Sequence, residues 1–508
     1  MGVYKRQQSP LWCLLAALTA GAVFGACAGR AAAWPLQWAA LTALVLLLPG
    51  TGVRTAAQRG FAFGLGWFTV SVWWLYISLH VYGGMGVWVA VPALLAFAAY
   101  LAMFALLACA AFAFMVRRAP WAFAPGFALC WTLAEWLRGE LFTGFPWAAT
   151  GYGFVDAPLA AWAALGGVDL VTFLAALGAA LVAAALQRRS LRGAVGVALA
   201  LAAMLGGGAA LSQVQWSVPH GAPITVALIQ GNIPQEEKFA QDHLARNLDT
   251  HLRLIAQARG DLIVTPETAI PVLPQQLPPD VLPALAAHLQ STGSAALVGI
   301  PLERGPGQYT NSVIGMGGEP LYRYDKHHLV PFGEFIPWGF HWFVRLMNIP
   351  LGDFERGALD QPSFVVKGQR VAPTICYEDV FGDELRARFA DATQAPTLIA
   401  NLTNLAWFGN TVAIAQHLQI ARMRSIEFAR PSIRATNTGA TAVIDAQGRV
   451  THALTPWTRG TLEATVQGRS GLTPYARYGD AWLWAVLLGL VAAVAVGWRR
   501  RRNAPVVL

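Results

Sequence analysis

The stretch "VAPTICYEDVFG" (residues 371–382) decides how the rest of the chain is read. A run of strand-forming residues ends in Cys376, and Tyr377, Glu378 and Asp379 follow at once. A lone thiol has two readings: a small buried hydrophobe or a nucleophile. The location, a strand end followed by acids rather than the middle of a helix, favours the nucleophile, since α/β folds place their chemistry at strand ends.

Cys376 is the only cysteine between about residues 213 and 475. Cys13, Cys27, Cys109 and Cys130 lie inside apolar runs, no pair has CxxC or metal-ligand spacing, and five is an odd number, so no disulfide framework is expected. The block around Cys376 has short apolar runs that read as buried strands: "ITVALIQ" (224–230), "DLIVTPE" (261–267), "AALVGIP" (295–301), "NSVIGM" (311–316), "VAPTIC" (371–376), "TLIANLT" (397–403) and "TAVIDA" (441–446). Segments 242–258 and 411–430 read as amphipathic helices. Alternating strands and helices imply an α/β domain, and about 260 residues suffice for one large core.

Outside this block the chain is far more apolar. Its 508 residues are 56% hydrophobic and 12% charged, and the mean hydropathy of +0.46 is well above that of soluble proteins. Apolar segments of bilayer scale fall at about Leu11–Ala28, Trp34–Leu48, Phe61–Leu79, Val87–Val116, Trp121–Leu137, Val168–Leu186, Ala194–Leu211 and Ala481–Trp498. With a cytoplasmic N-terminus, the inside positions hold Lys5, Arg6, Arg54, Arg59, Arg117, Arg118, Arg188, Arg189, Arg192 and Arg499 to Arg502, whereas the short outside loops hold Arg30 and Arg138. Much of the net charge of +9 is therefore a topology signal. This placement argues against a nucleic-acid partner. The first segment, with "FGAC" ending at Cys27, has features of a cleaved signal, but seven further spans favour a retained helix. The expected organisation is a membrane domain of seven helices (1–212), an external α/β domain (213–475), and a C-terminal helix with a basic tail (476–508).

A thiol nucleophile needs a proton acceptor. His327, His328 and His417 are candidates, and so are the carboxylates Glu267, Glu334 and Glu378. Glu267 ends "DLIVTPE"; the competing reading is a charge at a helix N-terminus. "YRYDKHHLVPFGEFIPWG" (322–339) carries Lys326, which is either a group that stabilises a thiolate or an oxyanion or part of a solvated basic turn. A zinc pair of His327 and His328 is disfavoured, because adjacent side chains point apart and no third ligand is evident.

Three segments, "TPETAI" with Glu267, "YDKHHLVPFGEFIP" with Lys326 and "TICYEDVF" with Cys376, resemble the Glu-Lys-Cys triad of the nitrilase (carbon–nitrogen hydrolase) superfamily. "QGNIPQEEKF", "NLTNLAWFGN" and "QHLQIARMRSIEFARPSIRATNTGATAVID", with seven spans before the domain and one after, narrow this: the whole chain resembles the bacterial apolipoprotein N-acyltransferases. The resemblance implies an α-β-β-α sandwich on a multi-pass helical base of about eight spans. It implies a bacterial inner-membrane location, with the catalytic domain in the periplasm.

It also implies the reaction. An acyl chain passes from a membrane phospholipid, typically phosphatidylethanolamine, to the thiol. It then passes to the α-amino group of a diacylglyceryl-cysteine apolipoprotein. Cys376 would be the nucleophile and Glu267 the general base. Lys326 would stabilise the oxyanion with the backbone N–H of Tyr377, and Glu334, Tyr377 and Glu378 match supporting positions.

The sequence departs from the family at Phe239, where Trp is common, and at Leu405, where Asp is common. The first keeps an aromatic wall; the second puts a polar role there in doubt. Each acyl CH₂ is worth about 0.8 kcal/mol in a bilayer, which fits a site at the lipid surface. The loop "WLRGELFTGFPWAATGYGF" (136–154), with Trp147, would line lipid access or form an ordinary interfacial aromatic belt. No cofactor is expected, and no P-loop for ATP is present. A membrane-anchored amidase or nitrilase using water as acceptor is the alternative. A transporter would need intramembrane charges, and Glu135 and Asp169 are the few acids in or beside the spans.

Overall fold

The apolar runs form helices at Pro10–Cys27, Trp34–Leu47, Val53–Ser71, Val87–Val116, Phe123–Glu140, Ala163–Arg188, Leu191–Leu211 and Ala481–Arg502. The computed structural model describes residues 9–30, 32–188, 190–318, 321–340 and 353–502. Lys5, Arg6, Arg189 and the side chains of Arg499 to Arg502 lie outside that part. Two compact units result: Met1–Trp73, Val91–Gln213 and Asp480–Leu508 form one, and Trp74–Ala90 with Val214–Gly479 form the other.

Among the described residues, four helices are long and apolar enough to cross a membrane: Pro10–Cys27, Val87–Val116, Pro158–Arg188 and Leu191–Leu211. A bent pair, Val53–Ser71 with Leu75–Tyr82, makes a fifth if it is counted as one span. Trp34–Leu47 has 14 residues, which reach about 21 Å at 1.5 Å per residue against a hydrocarbon core of about 30 Å. Phe123–Glu140 carries Glu135, Arg138 and Glu140. Helices Pro10–Cys27 and Val53–Ser71 approach closely because a Cβ on Gly21 would stand 1.9 Å from the Phe63 carbonyl oxygen, and one on Gly25 2.3 Å from that of Trp67. This is the small-xxx-small spacing of membrane helix pairs.

Two expectations are corrected here. The third run does not continue to Leu79 as one helix; it breaks after Ser71. Beyond the break, Trp74 donates through Nε1 to Gln416 Oε1 at 3.0 Å and packs on Phe408 at a centroid distance of 4.4 Å, while Ser78 Oγ donates to the Trp407 carbonyl at 2.7 Å. Residues 74–90 thus belong with the second unit. Arg138, expected in an outside loop, is buried on its helix. It pairs with Glu135 at 3.2 Å and donates through Nη1 to the Trp147 carbonyl at 3.0 Å. Glu135 also accepts from the Thr150 backbone N–H at 2.9 Å. The acid and base therefore satisfy each other and pin the loop that follows, as buried charges require.

The second unit is a sandwich. Its strands are β1 (Val218–Pro219), β2 (Ile224–Gln230), β3 (Leu262–Val264), β4 (Ala295–Gly305), β5 (Gln308–Met316), β6 (Tyr322–Asp325), β7 (Phe364–Val366), β8 (Gln369–Ile375), β9 (Leu398–Thr403), β10 (Ser432–Thr436), β11 (Ala442–Ile444), β12 (Val450–Ala453), β13 (Gly460–Val466) and β14 (Arg469–Ser470). One six-stranded sheet has the order β13-β2-β3-β4-β5-β6, the other β12-β11-β10-β9-β8-β7. β2, β3 and β4 are parallel, as are β8, β9 and β10.

Period-two alternation builds the layers. Ile224, Val226 and Leu228 enter a core shared with Val371, Ile375, Leu398 and Ile433 of the other sheet. Ala227 and Ile229 face the opposite way, toward Ile255 and Leu289 of helices Leu244–Gln257 and Val281–Thr292. On the far side, Ile399 packs with Phe428 and Tyr475. Both faces of these strands are covered, which is why they read as continuous apolar runs. The helix expected to be amphipathic, found at Val412–Phe428, is buried almost all round, including His417, Arg424 and Glu427. Its charges are paired inside, as between Arg424 and Glu427 at 2.9 Å, so they mark no solvent face.

Candidate active site

The parallel strands deliver their carboxyl ends to one edge of the sandwich. β3 leads into Glu267, β8 into Cys376, β9 into Asn404 and β10 into Asn437, while β6 ends just before Lys326. No helix begins at Glu267; residues 267–270 form turns. The backbone can fold back there because residue 299 is glycine: a Cβ on it would lie 2.4 Å from the Pro266 carbonyl oxygen and 2.7 Å from the Thr268 nitrogen.

Lys326 is fully buried, which removes the solvated-turn reading. Its Nζ lies 2.9 Å from Glu334 Oε1 and 3.5 Å from Glu267 Oε1. Burial alone would lower its pKa; the carboxylates of Glu334 and Glu267, and Cys376, outweigh burial and hold it above the usual lysine range. Asn311 on β5 bridges the two acids, donating through Nδ2 to Glu267 Oε1 at 2.8 Å and to Glu334 Oε1 at 2.7 Å. Glu267 Oε2 accepts from the Asn404 backbone N–H at 3.0 Å, and Glu334 Oε2 from that of Val330 at 2.8 Å.

Cys376 is partly exposed at the head of a tight turn, with φ at +51°. Such a conformation costs a non-glycine residue about 1–3 kcal/mol and persists only where its surroundings enforce it. The enforcing groups are visible. Glu378 Oε2 accepts from the Ile375 N–H and its Oε1 from the His327 N–H, each at 2.6 Å, and Tyr324 Oη donates to both oxygens at 2.9 Å. Asn401 Nδ2 donates to the Cys376 carbonyl at 3.3 Å. Behind the turn, Asp379 accepts from Arg434 and from Thr374 Oγ1. Burial pushes the thiol pKa up, Glu267 and Glu334 add to this, and Lys326 opposes it. The thiol is thus held as a thiol until a neighbouring base takes its proton.

The expected residues separate into groups. Glu267, Lys326 and Glu334 share one hydrogen-bonded cluster, and its charges act on Cys376. Glu378 is consumed by the turn it clamps. Tyr377 is buried against His328 and Phe381 at centroid distances of 5.6 and 5.1 Å. Phe239 is exposed, with Lys238 Nζ 5.7 Å from its ring centroid. Trp147 lies buried in the helical unit. Leu405 packs with Ile414 and Ala440 in an apolar cluster, so position 405 has no polar function in this chain.

Two of the three histidine candidates, His328 and His417, are poor proton acceptors. The His327 ring meets the Gly357 carbonyl at 2.8 Å. His328 stacks on Phe381, bonds to Glu384 at 2.7 Å and has its pKa lowered to about 4 by burial. His417 is lowered well below the usual range by burial and by Arg434. The side chains of His327 and His328 go to different partners, as adjacent residues in an extended turn do.

Sequence reasoning missed Asn311, because an asparagine opening "NSVIGM" looks like a strand boundary. It also missed Asn404, Asn437 and Gln235, which tie three loops together. Asn404 Nδ2 donates to Gln235 Oε1 at 2.8 Å, Asn437 Nδ2 donates to Asn404 Oδ1 at 3.0 Å, and the Ile233 N–H donates to Asn437 Oδ1 at 2.9 Å. Their presence in the quoted motifs was the available signal.

Residues 225–475 match the carbon-nitrogen hydrolase family, and residues 20–181 match the apolipoprotein N-acyltransferase N-terminal domain. The chain is 49% identical over 475 residues to the apolipoprotein N-acyltransferase of Ralstonia nicotianae, covering 92% of this chain and 89% of that protein. It is 43% identical over 517 residues to that of Bordetella bronchiseptica, covering 92% and 94%. It is 37% identical over 487 residues to that of Neisseria meningitidis serogroup B, covering 92% of each. Helical unit and sandwich are matched together across nearly the full length of these relatives, and the chain belongs to the apolipoprotein N-acyltransferase family.

Proposed function

We propose that this protein transfers an acyl chain from a membrane phospholipid through a thioester on Cys376 to the α-amino group of diacylglyceryl-cysteine apolipoproteins. The observation that carries the mechanism is the buried Glu267–Lys326–Glu334 cluster at the strand edge where Cys376 heads a constrained turn. Glu267 takes the thiol proton, and the thiolate attacks the ester carbonyl. Lys326 and the Tyr377 N–H stabilise the oxyanion. The C–O bond breaks, and the departing lysophospholipid oxygen receives the proton from Glu267. The lipoprotein amine then attacks the thioester, Glu267 accepts a proton from the amine, and the thiol leaves with its proton restored. One donor leaves before the acceptor reacts, which is ping-pong kinetics.

Phosphatidylethanolamine is the proposed donor. The proposed setting is the bacterial inner membrane, with eight spans, residues 1–212 and 476–508 in or beside the bilayer, and residues 213–475 facing the periplasm. The charge alternation along the apolar segments supports this orientation.

Intact-mass measurement after incubation with phosphatidylethanolamine is the test. An acyl-sized increment on the peptide carrying residue 376, absent in Cys376→Ala and discharged by a diacylated lipopeptide amine, is the expected result. Discharge by water at the same rate would favour the amidase reading, and acylation elsewhere would remove Cys376 from the reaction.

A further inference from the structure

Lys238 ends the short helix Gln235–Lys238, in the segment "QGNIPQEEKF". It is only 4% exposed, and among the described residues it makes no ion pair. A buried lysine without a carboxylate partner is rare, because taking an ammonium out of water is costly. Its Nζ donates to the backbone carbonyl of Glu267 at 2.8 Å. The titratable groups facing it are Glu267 from the turn after β3 and Cys376 from the turn after β8. His251, from helix Leu244–Gln257, is held neutral by burial, with its pKa lowered to about 4. On its own helix, Glu237 is engaged by Arg246 at 2.9 Å.

Lys326 shares its charge with Glu334, so a net negative charge passing between Glu267 and Cys376 is not fully balanced by Lys326. We propose that Lys238 is a positioning residue of the acyl-transfer site. It anchors the main chain that carries Glu267 and supplies the second cation that stays beside the negative charge as it moves from Glu267 to the Cys376 sulfur. The inference rests on Cys376 being the acylated nucleophile. Burial lowers the Lys238 pKa to about 8, with Glu267 and Cys376 resisting, so this cation titrates at mildly alkaline pH.

The test is single-turnover acylation of Cys376 in the full-length protein in detergent with saturating phosphatidylethanolamine, followed by intact mass from pH 6 to pH 10. Titration of the donor is common to every variant. The wild type should lose rate on an alkaline limb near pH 8. Lys238→Met should react about tenfold more slowly below that limb and lack the limb. Lys238→Arg, charged throughout, should move the limb upward. A limb at the same pH in the wild type and in either variant, or no limb in the wild type, overturns the proposal. If Lys238→Met does not fold, Lys238→Arg alone decides. A wild type that never acylates Cys376 would instead defeat the functional reading.

Discussion

The Lys326 ammonium stands 2.9 Å from Glu334 Oε1, with both side chains buried. Together with Glu267 at 3.5 Å, this pairing makes the charge on Lys326 permanent at any pH near neutral, because the carboxylates outweigh burial and keep its pKa raised. A permanent cation with fixed hydrogen bonds is what a developing oxyanion requires.

Lys326→Arg keeps the charge and loses the geometry. A planar guanidinium cannot replace an ammonium that reaches two carboxylates from a fully enclosed position. Thioester formation should fall by about 10²-fold or more, with the melting temperature less affected than the rate. Rates within a few-fold of wild type, by intact mass, would show that position and shape at residue 326 are immaterial.

Glu378→Gln tests the clamp under Cys376. The carboxylate accepts from Ile375 N–H on one oxygen and His327 N–H on the other. An amide can accept on only one side and presents an N–H to a donor on the other. Leaving a buried donor unsatisfied costs about 1–3 kcal/mol, and the positive φ of Cys376 loses its support. A lowered melting temperature and slower acylation should appear together. A variant with unchanged stability would mean that another group holds the turn.

Gly299→Ala probes Glu267 from behind. The added Cβ would meet backbone atoms of Pro266 and Thr268 at 2.4 and 2.7 Å, and backbone cannot rotate away as a side chain can. The turn carrying Glu267 must shift, and displacement of a base by about 1 Å can cost about 10²-fold. The expected result is a protein that still binds phospholipid in a pull-down with labelled donor but acylates Cys376 slowly.

Two strand ends were legible in sequence because the proposed reactive residue closes a short apolar run, "DLIVTPE" ending in Glu267 and "VAPTIC" ending in Cys376, whereas "YRYD" before Lys326 carries Arg323 and Asp325 and does not read as one. Residues that act by bridging were not legible. Asn311 matters because β5 lies beside β4 and β6, which places its amide between two acids far from it in sequence. Helix Val412–Phe428 misled for a related reason: its polar residues look like a solvent face, yet they meet one another and the Asp379–Arg434 pair in the interior. Trp74 stopped a run that is apolar enough to continue, and it did so through a hydrogen bond to Gln416, a partner more than three hundred residues away. Local hydrophobicity cannot encode such contacts.

The Lys238 environment makes a prediction about stability that is separate from rate. Its folded pKa is lowered to about 8, while an unfolded lysine titrates near 10.4. Between these values the folded state binds fewer protons than the unfolded state, so stability rises with pH across that window. The penalty for burying the charged form is fully present below about pH 8 and is relieved as pH climbs toward the unfolded value. The span corresponds to on the order of 3 kcal/mol at 1.36 kcal/mol per pKa unit. Lys238→Met has no such titration. The difference in melting temperature between wild type and Lys238→Met, measured in the same detergent at pH 7.5 and at pH 10, should therefore move in favour of the wild type at the higher pH. The comparison cancels the lost hydrogen bond to the Glu267 carbonyl, which is missing from the variant at both pH values. A difference that does not change with pH would mean that burial does not depress the Lys238 pKa.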